Sequence, residues 1–148
     1  MSFTLDYDQL IHLDAEDLAE TGIGEAYESL LSEYHKYFQQ PSPIEESIDS
    51  DAPRYSVKCG AKKFVIFEPG PDDGNGNSWG RATFAFFTIV NDQLASSEHR
   101  FYAINGGNDL GGMFLTQAQA QAAQQTLPNK TDWPYLPEDE QPWYGQFH

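Results

Sequence analysis

A chain of 148 residues with 23 acids against eight lysines and arginines carries a net charge of −15, a field that repels nucleic-acid phosphates and anionic lipid and speeds encounter with a basic partner at low salt. This length supports one domain that buries about two thirds of its unfolded surface, and a single cysteine, Cys59, excludes an internal disulfide. The longest apolar run, "FAFFTIV" at residues 84–90, falls far short of the roughly 20 residues of a membrane span.

The opening "MSFTLDYDQL" carries acids where a secretory signal carries lysines followed by an apolar stretch, so the expected compartment is the cytoplasm. In "LDAEDLAE", Asp14 reads as the cap of a short helical turn. Ile23, Tyr27, Leu30, Leu31, Tyr34, Tyr37 and Phe38 then recur at three and four residues, with Glu25, Glu28, Glu33 and Lys36 between them, which predicts an amphipathic helix. Gly22 and Gly24 place a break between the two helical pieces. "QQPSPIEESIDSDAP", residues 39–53, holds three prolines and four acids and reads as an exposed connector.

"RYSVKC" and "KKFVIFEP" alternate as strands, joined by Gly60 and Ala61 in the glycine-first order of a type II′ hairpin, with Cys59 as a passive strand residue. In "SWGRATFAFFTIVNDQL", Trp79, Phe87 and Ile89 alternate against Phe84, Phe86 and Val90, which suggests a long strand in the middle of a sheet. "RFYAI" and "GMFLT" give two further strands around "NGGNDLGG". Thr116 and Gln119 are spaced as a capping box for a helix whose small-residue face runs through Ala118 and Ala122. The tail "TDWPYLPEDEQPWYGQFH" is too rich in proline for a helix or a central strand and should run extended, its aromatics either stapled down or awaiting a partner; stapling fits a soluble chain better. The expected fold is one α+β domain over residues 1–148: a helical part (1–40), an exposed connector (41–53), a four- to five-stranded antiparallel meander (54–115), a helix (116–127) and an extended aromatic tail (128–148).

Little in this order is catalytic. The glycines of "NGGNDLGG" lie between two strands, not between a strand and a helix, so a dinucleotide cradle fails and a positive-φ turn over residues 105–109 remains. Gly111 and Gly112 suggest a bulge or a close approach to the backbone. Asn105, Asn108 and Asp109 stay candidates for surface contact. "PDDGNGNSWG" begins like a calcium loop at Asp73, but Ser78 stands at the glycine position and Phe84 at the bidentate glutamate position, so it reads as a flexible hairpin loop. His12, His35, His99 and His148 are scattered without HxxxH or HExxH spacing, and no serine lies in a GxSxG elbow. Paired acids for glycoside chemistry would need a cleft. The expectation is a protein that is not an enzyme and uses no metal or cofactor.

The charge is confined to the ends. Residues 1–52 hold 13 acids and one base, Lys36; residues 53–131 are nearly balanced, with six acids and seven bases; the last 17 residues hold four acids. Either solubility or an interaction surface accounts for this, and confinement favours the surface. The acids of the connector, Glu45, Glu46, Asp49 and Asp51, and those of the tail, Glu138, Asp139 and Glu140, are the candidate partner-binding residues.

The stretches "SWGRATFAFFTIVN", "FYAINGGNDLGGMFLT" and "DWPYLP…PWYGQF" resemble small acidic bacterial immunity proteins of polymorphic toxin and contact-dependent inhibition systems, over most of residues 50–148. The resemblance implies a cytoplasmic, non-catalytic protein that binds and blocks a cognate toxin domain, commonly a cationic nuclease; the acidic charge separately argues against a nucleic-acid or membrane partner. The resemblance transfers no functional residue. A nucleic-acid mimic that sequesters a DNA-binding protein, or a small-molecule enzyme with a pocket of perturbed carboxylates, are the alternatives. With no cofactor expected, a chelator should leave the melting temperature unchanged; a drop of several degrees would restore the calcium reading of residues 73–84.

Overall fold

A computed structural model describes residues 5–49, 51, 54–67, 77–138 and 144–146. Its architecture turns on the segment expected to be the central strand. Asn77–Gln93 is instead a helix of 17 residues, here named α3. Bulky apolar residues on two sides suit a central strand or a buried helix equally, and periodicity alone does not separate them; length does, since strands rarely pass ten residues. Ala82, Ala85, Phe86, Phe87, Ile89 and Val90 are all buried. The expected meander is therefore replaced by two three-stranded antiparallel sheets, both of which α3 contacts.

The first sheet has the order β1-β6-β5, from β1 (Ile11–His12), β5 (His99–Ile104) and β6 (Gly111–Thr116). Its two-residue period sorts the core. Phe101, Ala103 and Phe114 join the cluster around α3, while Tyr102, Ile104, Met113 and Leu115 pack with α4 (Gln117–Thr126) on the opposite face. The second sheet, β2-β3-β4, comprises β2 (Glu45–Asp49), β3 (Arg54–Cys59) and β4 (Lys62–Phe67). Gly60 and Ala61 join β3 to β4 as expected, Gly60 at φ +60°. The connector reading is corrected: residues 45–49 are exposed, yet they pair as an edge strand with Glu45 opposite Lys58 and Asp49 opposite Arg54. Proline is absent from those five residues, so the ladder closes, and opposite charges face each other across it.

Two N-terminal helices break at Gly22 (φ +126°): α1 (Ala15–Glu20), capped by the Asp14 carboxylate on the Glu16 N–H at 2.9 Å, and α2 (Ile23–Tyr34). The apolar period continues beyond α2, but residues 35–37 form turns that half-bury Tyr37 and Phe38. The capping box of α4 is present in both directions, Gln119 N–H to Thr116 Oγ1 at 3.2 Å and Thr116 N–H to Gln119 Oε1 at 2.8 Å. Its buried stripe runs through Ala120 and Ala123 rather than Ala118 and Ala122, because only the former continues, at helical spacing, to an apolar residue, Leu127.

Polar ties hold α3 in place. The Asn91 side chain binds the Phe101 backbone twice, at 2.6 and 3.0 Å, and the Arg100 guanidinium donates to the carbonyls of Leu94, Ser97, His99 and Ala95 just past the C-terminus of α3. In the tail, Tyr135 exchanges backbone hydrogen bonds with Ala103 at 2.7 and 2.9 Å, its hydroxyl donates to the Asn105 carbonyl, and Trp133 donates to the Leu127 carbonyl. Tyr144 is buried with its ring against Gly80. Trp143 and Phe147 lie outside the described residues, as do Asp73 and Asn75, while Ser78, Trp79 and Gly80 at the end of the expected hairpin loop belong to α3 instead.

The glycines around residues 105–112 do two different jobs. Asn105 (φ +62°) and Gly107 (φ +59°) turn the chain between β5 and β6, whereas Gly106 is extended. A Cβ on Gly112 would lie 2.2 Å from Cζ of buried Phe101, so Gly112 is the close approach that its sequence suggested. Gly107→Ala should therefore cost about 1 kcal/mol of backbone strain, Gly112→Ala about 2–3 kcal/mol of overpacking, and Gly106→Ala less than either. Urea unfolding of the three variants checks this order; equal losses would show that the loop, not the Phe101 contact, limits stability.

Candidate functional site: an acidic surface around helix α2

Five of the N-terminal acids, Asp14 and Asp17 of the α1 region, Glu25 and Glu28 of α2 and Glu46 of β2, gather along neighbouring grooves. Helical spacing turns Ile23, Tyr27, Leu30 and Tyr34 inward and leaves Glu25 and Glu28, three residues apart, on the exposed side. A groove lies on each flank of this ridge, and Glu25 borders both. One, of about 400 Å3, has Ile11, Leu13, Leu18 and Leu30 along it with Asp14, Asp17 and Glu25. The other, of about 510 Å3, runs between α2 and residues 41–46, with Tyr27, Leu31 and Ile44 as apolar wall and Glu25, Glu28 and Glu46 as its charges. Among the described residues neither is lined by a lysine or arginine.

Glu46 has a structural task as well. Register places Glu46 and Ile48 on the face of β2 that continues Tyr55 and Val57. The Tyr55 hydroxyl donates to Glu46 Oε2 at 2.5 Å and accepts the Ile23 N–H at 2.8 Å, so one phenol links the edge strand to the first turn of α2. No side chain caps that helix, whose N-cap is Gly22, and a carboxylate beside it complements the positive end of the helix dipole. Gly22 and Gly24 make the space: a Cβ would lie 2.9 Å from Glu46 Oε2 at the first and 2.2 Å from Glu46 Oε1 at the second. Burial, then the hydrogen bond to Glu46, push the Tyr55 pKa well above the usual phenol value.

The candidate residues are thus in several places. Glu45 and Asp49 sit on the other face of β2 from Glu46, and the Asp51 N–H donates to Asp49 Oδ1 at 3.0 Å. Asn105 supplies the turn, Asn108 donates its amide to Asp14 and Glu16, tying the β5–β6 loop to the cap of α1, and Asp109 is exposed. Glu138 is exposed, next to Leu136 and Pro137, which line a different groove of about 310 Å3 with Thr88 and Arg100; Asp139 and Glu140 lie outside the described residues. Glu25, Glu28 and Tyr55 were not singled out by sequence, although three-residue spacing on an amphipathic helix marks the first two.

Burial, with Asp92 nearby, raises the Cys59 thiol pKa and keeps it protonated at neutral pH. His12 and His35 are exposed, and His99 packs on Tyr37 at 4.7 Å between ring centres. Among the described residues no group of three or more histidines, cysteines and acids is placed to hold a metal ion, and no helix is long and apolar enough to cross a membrane. Compared with protein families, curated proteins and solved structures, the chain matches none.

Six tyrosines, Tyr7, Tyr27, Tyr34, Tyr55, Tyr102 and Tyr135, have pKa values raised chiefly by burial. Each stays protonated in the folded chain at a pH where the unfolded chain, near 10 for a free phenol, has released its proton. Stability should hold below about pH 9.5 and fall as pH rises beyond 10. Tyr55→Phe should cost about 1–3 kcal/mol at neutral pH, by leaving the Ile23 N–H without its acceptor, and should flatten the alkaline slope. Urea unfolding between pH 7 and 11 measures both; an unchanged slope would remove Tyr55 from the linkage.

Proposed function

We propose that this chain is a non-catalytic protein of the immunity type, cytoplasmic, that binds and neutralises a basic toxin domain through its N-terminal acidic surface. The observation that carries the reading is the gathering of acids of α1, α2 and β2 around two grooves with no lysine or arginine among their described lining residues. Such a surface attracts a cationic partner over a distance set by the ionic strength, and orients it before contact. Apolar side chains inside the same grooves supply what charge does not, since steering raises the association rate while buried contacts slow dissociation. Glu45, Asp49 and Asp51 serve encounter, in keeping with their exposure on the sheet edge. Glu46 serves the support of α2 as well.

Association with a purified cationic partner domain, followed against ionic strength, tests the reading. The variant E45Q/D49N/D51N, which spares Glu46, should fold normally, associate roughly threefold to tenfold more slowly at low salt, and converge on the parent at high salt. Unchanged kinetics would move steering to the tail acids Glu138, Asp139 and Glu140. Failure of any basic protein to bind the parent chain would end the immunity reading.

A further inference from the structure

We propose that the groove between α2 and residues 41–46 receives an arginine side chain of the partner protein. The inference rests on the partner reading above and names the chemistry of its contact. This groove sets three carboxylates, Glu25, Glu28 and Glu46, along one apolar wall. The groove on the other flank of α2 shares Glu25 and adds Asp17, but its Asp14 is committed to the cap of α1 and to the Asn108 amide. In the one beside Arg100, Asp92 holds Lys62 at 2.6 Å and the guanidinium is taken up by backbone carbonyls. Here the carboxylates of Glu25 and Glu28 are exposed and make no hydrogen bond or ion pair with any described residue. Glu46 is held in place by a neutral phenol, which fixes the carboxylate without cancelling its charge.

The groove is also preformed. The Tyr27 hydroxyl donates to the Ser42 carbonyl at 2.7 Å and accepts from Gln93 Nε2 at 3.0 Å, while Gln93 Oε1 accepts the Ser42 N–H at 2.6 Å. Those three bonds clamp the proline-flanked segment of residues 41–43 to α2 and α3, so no wall must be ordered on binding. Three carboxylates over an apolar wall of Leu31, Ile44, Pro41 and Pro43 match a side chain with an aliphatic stem and a cationic head. Guanidinium fits better than ammonium, because it is more weakly hydrated and its planar fork meets carboxylates two bonds at a time.

The test uses the full chain, 15N-labelled, titrated with the blocked peptide acetyl-Gly-Arg-Gly-amide and, as a neutral control of the same shape, its citrulline analogue. The arginine peptide should give saturable amide shifts at residues 24–31 and 42–46, the citrulline peptide at least fivefold weaker ones. E25Q/E28Q should weaken arginine binding at least fivefold with an unchanged thermal melt, and D6N/D8N should leave it unaltered. Unsaturating shifts spread over all the N-terminal acids, or equal binding of both peptides, would overturn the proposal. So would a basic partner that binds E25Q/E28Q as tightly as the parent, an outcome that leaves the partner reading standing. Saturable arginine binding in a chain that binds no basic protein would instead uphold the groove and sink the partner.

Discussion

The burial of α3 between the two sheets is the constraint on which the rest of the structure depends. Phe86 and Phe87 meet Phe101 of β5, which meets Phe114 of β6, and Phe114 stacks on Tyr34 and Tyr37, so a single run of aromatic contacts joins α3, the first sheet and the end of α2. On its other side α3 reaches β4, where Phe84 meets Phe64 and the Arg81 Nε donates to the Ile66 carbonyl at 2.6 Å. Aromatic pairs at these spacings add roughly 0.5–1.5 kcal/mol each beyond the area they bury. A helix enclosed in this way cannot shift without disturbing both sheets.

Tyrosine converts that core into a scaffold for charge. The Tyr34 hydroxyl donates to the Val90 carbonyl at 2.8 Å, Tyr27 reaches the segment before β2, and Tyr55 joins β2 to α2. In each case the ring fills space in the core while the hydroxyl satisfies a polar group on another element, which a phenylalanine would leave unpaired. The acidic elements are thereby fixed to the core at several points. This matters because a surface of like charges opposes its own compaction, and only anchoring from beneath keeps the acids close together.

Legibility followed the locality of the physics. The break at Gly22, the cap at Asp14, the Gly60–Ala61 hairpin and the Thr116–Gln119 box all depend on residues within a few positions of one another, and each stands where its pattern placed it. The identity of α3 does not depend on local pattern, since its aromatics satisfy a two-residue alternation as well as a helix; the choice is made by the two sheets that enclose it. β2 escaped notice for the related reason that an edge strand needs only one partner and no buried face, and all five of its residues are exposed. Of the candidate site, the sign of the charge and its confinement were visible. The use of Glu46 beneath α2 was not, because it depends on Tyr55, nine residues away, and on the absence of side chains at Gly22 and Gly24.

Those two glycines sharpen the meaning of the site. Glycine in a first helical turn weakens the helix, by roughly 0.5–1 kcal/mol relative to alanine, and Gly22 stands at a φ that other residues rarely adopt. What the loss admits is a carboxylate at the positive end of α2, which returns part of the stability through the dipole. Alanine with an ordinary capping residue would support the helix more simply. The arrangement present keeps Glu46 beside Glu25 and Glu28, with its position set by Tyr55 and not by solvent. Placing three like charges on one groove is unfavourable for the chain alone, and a cation seated among them would remove that repulsion.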